Sequence, residues 1–84
     1  DAAYVYPHPI KLGRDGEVTF GGLPVPSTVD VFDARMRPVA TFATVDGSGG
    51  IRWDVTGADG VRLAPGLYFY RINGTTLKKL VIER

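Results

Sequence analysis

Cysteine is absent from this sequence of 84 residues. That absence excludes a disulfide scaffold, a thiolate zinc site and a thiol nucleophile together. Histidine occurs once, at His8, and serine only at Ser27 and Ser48. His8 stands between two prolines, and neither serine lies in a nucleophile-elbow context, so a Ser–His triad has nothing to build on. His8 reads as a surface residue where the domain begins. No apolar run approaches the ~18 residues that a membrane helix needs, so insertion into a membrane is not expected. Charge of one sign is also lacking: ten Lys and Arg face nine Asp and Glu, a net charge of +1. Nucleic-acid binding, which needs a basic stripe, is not expected. Nor does any stretch of twelve residues hold a 3.6-residue apolar period free of Gly and Pro, so helix has no support.

What remains is ordinary for a globular protein. Hydrophobic residues make up 44% and charged residues 23%, enough to argue against disorder. The length fits a single domain over 1–84. Such a chain buries roughly 60% of its unfolded surface, enough for one thin core but not for a deep active-site cavity as well. The first residue is Asp1 and not Met, which leads us to expect a domain cut from something longer. A missing signal peptide then says nothing about destination.

Glycine (11) and proline (6) are frequent, and four dipeptides promote turns: Asp15-Gly16, Asp46-Gly47, Asp59-Gly60 and Asn73-Gly74. Between them lie runs of Val, Ile, Thr, Phe and Tyr. The pattern predicts strands over 3–6, 17–20, 28–33, 38–44, 50–56, 66–73 and 75–83. Residues 50–56 show the cleanest alternation, Ile51, Trp53 and Val55 against Arg52, Asp54 and Thr56. Seven short strands at this spacing predict an all-β, seven-stranded antiparallel immunoglobulin-like sandwich. Its core should comprise Val18, Phe20, Val29, Val31, Trp53, Tyr68, Tyr70, Ile72, Leu80 and Ile82. Tyr68 follows a corner at Pro65-Gly66, where its hydroxyl is placed to bond back to upstream backbone.

Candidate sites are few. Asp15, Asp30, Asp33, Asp46, Asp54 and Asp59 carry oxygens suited to Ca²⁺, but no tract has the density of a calcium loop, and Asx turns explain them better. The glycine-rich 46–50 stretch is no phosphate loop, since no Lys-Ser/Thr and no helix follow. No cofactor is expected. Trp53 with Tyr68 and Tyr70 has the composition of a sugar-stacking platform, yet Trp53 is in phase with Ile51 and Val55 and reads as core. An exposed Trp53 would restore the carbohydrate-binding reading. If Tyr68, Tyr70 and Ile72 point inward, Leu67 and Phe69 point outward, and such a pair on so small a domain marks a covered surface. Lys78 and Lys79 read as a solvated edge, where lysine discourages aggregation.

Four blocks in order resemble a known pattern. Tyr4-Val5-Tyr6-Pro7-His8-Pro9 resembles the "YPNP" opening of C-terminal sorting domains of the type IX secretion system, which the immunoglobulin-like domain of flagellar hook-capping proteins shares. Val29-Asp30-Val31-Phe32-Asp33 with Val39 resembles their second block. Trp53-Asp54, Asp59-Gly60 and the run Leu63-Ala64-Pro65-Gly66-Leu67-Tyr68-Phe69-Tyr70-Arg71 resemble the third, the most specific. Lys79-Leu80-Val81-Ile82-Glu83-Arg84 resembles the closing strand. Three positions depart: His8 replaces the usual Asn, while Met36 and Val55 stand where Gly is usual.

The resemblance implies that residues 1–84 are the C-terminal immunoglobulin-like domain of a larger exported protein, serving as a non-catalytic sorting and surface-anchoring signal. Its partners would be the outer-membrane secretion machinery and a sortase-like peptidase, and its route would run through the periplasm and outer membrane to the cell surface. Lys78, Lys79 and Arg84 are the expected exposed contacts, with Leu67 and Phe69 as the covered pair. Pro7 and Pro9 are expected at the junction with the preceding domain. The alternative is an accessory module that packs on, or spaces, a neighbouring catalytic domain. A hook-cap role fits the resemblance less well, because those domains lie inside a longer chain.

Overall fold

The computed structural model describes residues 3–24, 26–44 and 50–84. Every regular element among them is a strand: β1 (Tyr4–Tyr6), β2 (Ile10–Lys11), β3 (Val18–Gly21), β4 (Ser27–Phe32), β5 (Pro38–Thr44), β6 (Ile51–Trp53), β7 (Gly66–Ile72) and β8 (Lys78–Glu83). They form two sheets, one in the order β1-β3-β6 and one in the order β2-β8-β7-β4-β5. All pairs are antiparallel except β2 with β8.

Alternation decides what lies between the sheets. Val29 and Val31 on β4, Tyr68, Tyr70 and Ile72 on β7, and Leu80 and Ile82 on β8 point inward from the larger sheet. Val18, Phe20 and Trp53 meet them from the smaller one, and all ten residues expected in the core are buried. The Phe20 ring sits 5.8 Å from Trp53 and 5.3 Å from Tyr70, which locks the two layers through tilted and edge-on contacts. Burying a side chain of this size contributes about 1.5–3 kcal/mol. Trp53 is 3% exposed, and its indole N–H donates to the carbonyl of Thr56 at 2.9 Å.

The turns follow from local chemistry. Asn73 and Gly74 both take left-handed backbone, φ 53° and 70°, and Thr75 donates to the carbonyl of Ile72 at 3.0 Å, the geometry an Asn-Gly hairpin favours. In the β4–β5 turn, Met36 donates to the Asp33 carbonyl at 2.9 Å. Met36 itself then turns left-handed at φ 64°, the position a three-residue hairpin loop reserves for glycine. The Tyr68 hydroxyl donates to the Ala64 carbonyl at 2.8 Å, which closes the corner before β7.

Four features differ from the sequence-based expectation. An eighth strand, β2, joins the seven, because Ile10 drops into the core beside Ile82. The strand expected over 50–56 ends at Trp53: Val55 is left-handed at φ 63° yet fully buried, and it starts a tight hairpin in which Leu63 donates back to its carbonyl at 2.9 Å. The last strand is not a bare edge, since β2 and His8 flank it on the side away from β7. Gly16 stays outside the left-handed region, and Asp15 instead accepts the Lys11 amide at 2.8 Å. Asp46-Gly47, Ser48 and most of the 46–50 stretch lie outside the described residues.

Candidate functional site

The residues that point away from the core on β7, β8 and β4 meet on the outer face of the larger sheet. Phe69 lies directly across from Phe32 on one side and Lys79 on the other, and Leu67 lies across from Val81. Together they form an apolar strip that the sandwich interior does not use. Leu67 is 42% exposed, while Phe32 is only 8% exposed although it stands outside the main core cluster. Arg71 covers it, with the guanidinium carbon 4.9 Å from the ring centroid, a cation–π arrangement.

Charged pairs frame the strip. Arg71 bonds Asp30 at 3.4 Å, and the Asp30 carboxylate also accepts the Thr41 hydroxyl at 3.3 Å. At the other border Lys11 pairs with Glu83 at 2.8 Å, across the β2–β8 register. Exposed pairs of this kind add little stability. Their consequence is local neutrality, which leaves Lys79 and Arg84 as exposed cations on and beyond β8.

The five expected partner contacts divide. Leu67, Lys79 and Arg84 are exposed and Phe69 is half-buried. Lys78 does not fit an exposed contact: it is half-buried, and its ammonium donates to the carbonyl of Ala3 at 2.8 Å. It ties the last strand to the first. Pro7 and Pro9 also need relocation. Each follows a cis peptide bond, and they lie between β1 and β2, inside the domain. Ala3 and Val5, upstream of them, already pack on the core, so the prolines turn the chain from the smaller sheet to the larger rather than mark its boundary.

Two working residues escaped the sequence reading. His8 is exposed, as expected, but its Nε2 accepts the Val81 amide at 3.0 Å and so caps an edge donor of β8. Arg62 gathers loops: its guanidinium donates to the carbonyls of Asp15 at 2.6 Å, Asp54 at 3.4 Å and Gly16 at 3.4 Å. The only sequence signal for either was the replacement of Asn by His8. Aromatic residues are exposed too, but not those considered for a sugar platform. Tyr4 and Tyr6 are 55% and 68% exposed. The Tyr4 ring lies over Gly21, where a Cβ would fall 2.5 Å from the ring.

Asp33, Asp54 and Asp59 serve turns. Asp33 accepts the amides of Arg35 at 2.9 Å and Arg37 at 3.0 Å, and these bonds, Arg37's first, hold its carboxyl below the usual range. Asp59 accepts the Val61 amide at 3.0 Å, and Asp54 the Thr56 hydroxyl at 2.6 Å. Among the described residues no three His, Asp or Glu side chains converge. Burial pushes the hydroxyls of Tyr68 and Tyr70 up from the ordinary phenol value.

Two sheets packed face to face, with the Tyr68 corner bond, define the class: an immunoglobulin-like β-sandwich. Within it, the whole chain aligns with part of PorZ, described as an essential bacterial surface component of the type IX secretion system of the human oral-microbiomic Porphyromonas gingivalis. The TM-score is 0.83 and the identity 28%, and the chain spans 12% of PorZ. Dimeric latent PorU from the same organism matches 96% of the chain with a TM-score of 0.72 and 24% identity, over 9% of its own length, which shows the fold alone. No protein-family model and no curated protein matches the chain. The chain is thus similar in fold and sequence to a segment of a type IX secretion component, in agreement with the resemblance read from its four blocks.

Proposed function

We propose that this chain is a non-catalytic sorting and surface-anchoring domain, which directs a larger cargo across the outer membrane by the type IX secretion system. The observation that carries the reading is the match to PorZ along 100% of the chain at a TM-score of 0.83. The partners are then the outer-membrane machinery and a sortase-like peptidase, and the destination is the cell surface or the medium. Contact falls on the outer face of the larger sheet, where Leu67, Phe69 and Lys79 adjoin, and on Arg84.

The outward strip also favours a second reading, an accessory module that packs on a neighbouring domain through Leu67 and Phe69. An export assay separates the two. Residues 1–84 are fused behind a signal peptide and a fluorescent reporter in a bacterium with a working type IX system. One variant changes exposed positions only, Leu67→Asn with Lys79→Glu. A control, Leu80→Asp, opens the core. The parent should reach the surface, and the surface variant should stay in the periplasm while folded. A parent that is folded yet remains periplasmic removes the sorting reading and leaves the accessory module.

A further inference from the structure

We propose that β5 is a pairing edge through which two copies of this chain join their larger sheets into one. β5 ends the five-stranded sheet and, among the described residues, pairs only with β4. Its sequence, Pro-Val-Ala-Thr-Phe-Ala-Thr, holds no charged residue. Edge strands that avoid pairing carry lysine, bulges or a cover. Here the proline and the bulge both lie at one end, near Val39, and the Ala58 amide occupies the Val39 carbonyl at 2.9 Å. From Thr41 to the end of β5 none of these devices is present among the described residues.

The direction of the backbone groups follows from β4. The Thr28 carbonyl accepts the Asn73 amide at 2.8 Å, so Thr28 faces β7, and alternation turns Val29 and Val31 toward β5. Val29 with Phe42, and Val31 with Ala40, are therefore the hydrogen-bonded pairs of the β4–β5 ladder. Thr41 and Ala43 send both N–H and C=O outward, where no described residue bonds them. The opposite border of the same sheet is treated differently: His8 takes the outward amide of Val81, and the Leu12 amide takes the carbonyl of Glu83 at 2.9 Å.

The occupant is a second copy because the edge is its own complement. A twofold axis through Phe42 sets Thr41 opposite Ala43 of the other copy, and the four outward groups of each pair of residues then satisfy one another. Both side chains are small and neutral, so no like charges meet. Asp30, which accepts the Thr41 hydroxyl, is already held by Arg71, and Glu17, which lines the groove beside Thr41 and Phe42, lies 4.0 Å from Arg52. Phe42 is half-buried in the groove between the sheets, 5.5 Å from Trp53. The symmetric pairing brings the two Phe42 rings side by side over the groove that Thr41, Trp53, Thr56 and Ala58 help to line. This inference stands apart from the sorting reading, since it needs neither cargo nor machinery.

Proline tests it cleanly. At 41 or 43 it removes an outward donor that the fold does not use, and edge strands tolerate proline at such positions. The chain should sediment as a concentration-dependent dimer, with the Thr41 and Ala43 amides exchanging more slowly at high concentration than at low. Thr41→Pro and Ala43→Pro should each melt within a few degrees of the parent and dimerise at least about tenfold more weakly, a change of about 1.4 kcal/mol. A chain that stays monomeric at about 0.5 mM overturns the proposal. So does a dimer that survives in either folded proline variant. The amide-exchange comparison on the parent decides the matter even if both variants fail to fold.

Discussion

Left-handed backbone costs a residue with a Cβ about 1–2 kcal/mol, and Met36 carries that cost on an exposed turn at φ 64°. Met36→Gly relieves the strain, loses no core contact, and gives back about 0.5–1 kcal/mol in unfolded-chain entropy. The expected outcome is a melting temperature a few degrees higher. A calorimetric scan in which the variant melts at or below the parent contradicts the strain account. Val55 has nearly the same φ, 63°, but is fully buried. There the lost burial, about 1.5–3 kcal/mol, cancels or exceeds the relief, so Val55→Gly should not stabilise. Both positions were legible as departures from the glycine pattern. Their difference in sign was not, because alternation from Trp53 placed Val55 in a straight strand, and only the left-handed bend at Val55 itself shows how it reaches the core. Tyr68 was readable outright: a hydroxyl just beyond a Pro-Gly corner finds the upstream carbonyl of Ala64. Tyr68→Phe should cost about 1 kcal/mol, read as a shift in the denaturant midpoint with an unchanged slope.

Elements with a long alternating pattern were predictable, and elements made by distant contact were not. β5 falls over the residues expected, because its turns and its alternation agree. β2 is two residues long, follows two prolines and pairs with a strand some seventy positions later, so no local signal reveals it. Its weight in the fold is nonetheless large. Ile10 is fully exposed to the core and not at all to solvent, and Ile10→Ala should destabilise by about 2–5 kcal/mol, as large-to-small core changes do. A loss below that range would mean that β2 is only laid against the sandwich. The outer-face strip was half legible. Leu67 and Phe69 were placed outward by the parity of β7, but Phe32 was not joined to them, since its neighbour across the sheet depends on the β4–β7 register. Lys78 was misplaced for a similar reason. Its partner, the carbonyl of Ala3, belongs to the other end of the chain.

At the scale of the whole sandwich, its first and last strands, β1 and β8, are both built into the sheets, and this determines how its role must be tested. Removing residues 77–84 would take Leu80 and Ile82 from the core and leave β7 and β2 without the strand between them. Such a truncation should unfold the domain, so failure of the truncated form to be exported says nothing about an address. The turns that hold the sheets also contribute to the response to acid. The Asp33 carboxyl is lowered by the amides of Arg37 and Arg35, and that of Asp15 by the Arg14 side chain and the Lys11 amide. A lowered folded-state value means that the unfolded chain binds protons more readily between the folded value and the ordinary value of about 3.9. Stability from these groups is therefore complete above that ordinary value and is lost as pH falls through the folded values. Melting temperatures followed from pH 7 to pH 2 should stay level at first and then fall below about pH 4. Asp33→Asn should start lower at neutral pH and fall less steeply, because its turn acceptor no longer titrates. Parallel curves for variant and parent would show that the Asp33 turn has no part in the acid transition.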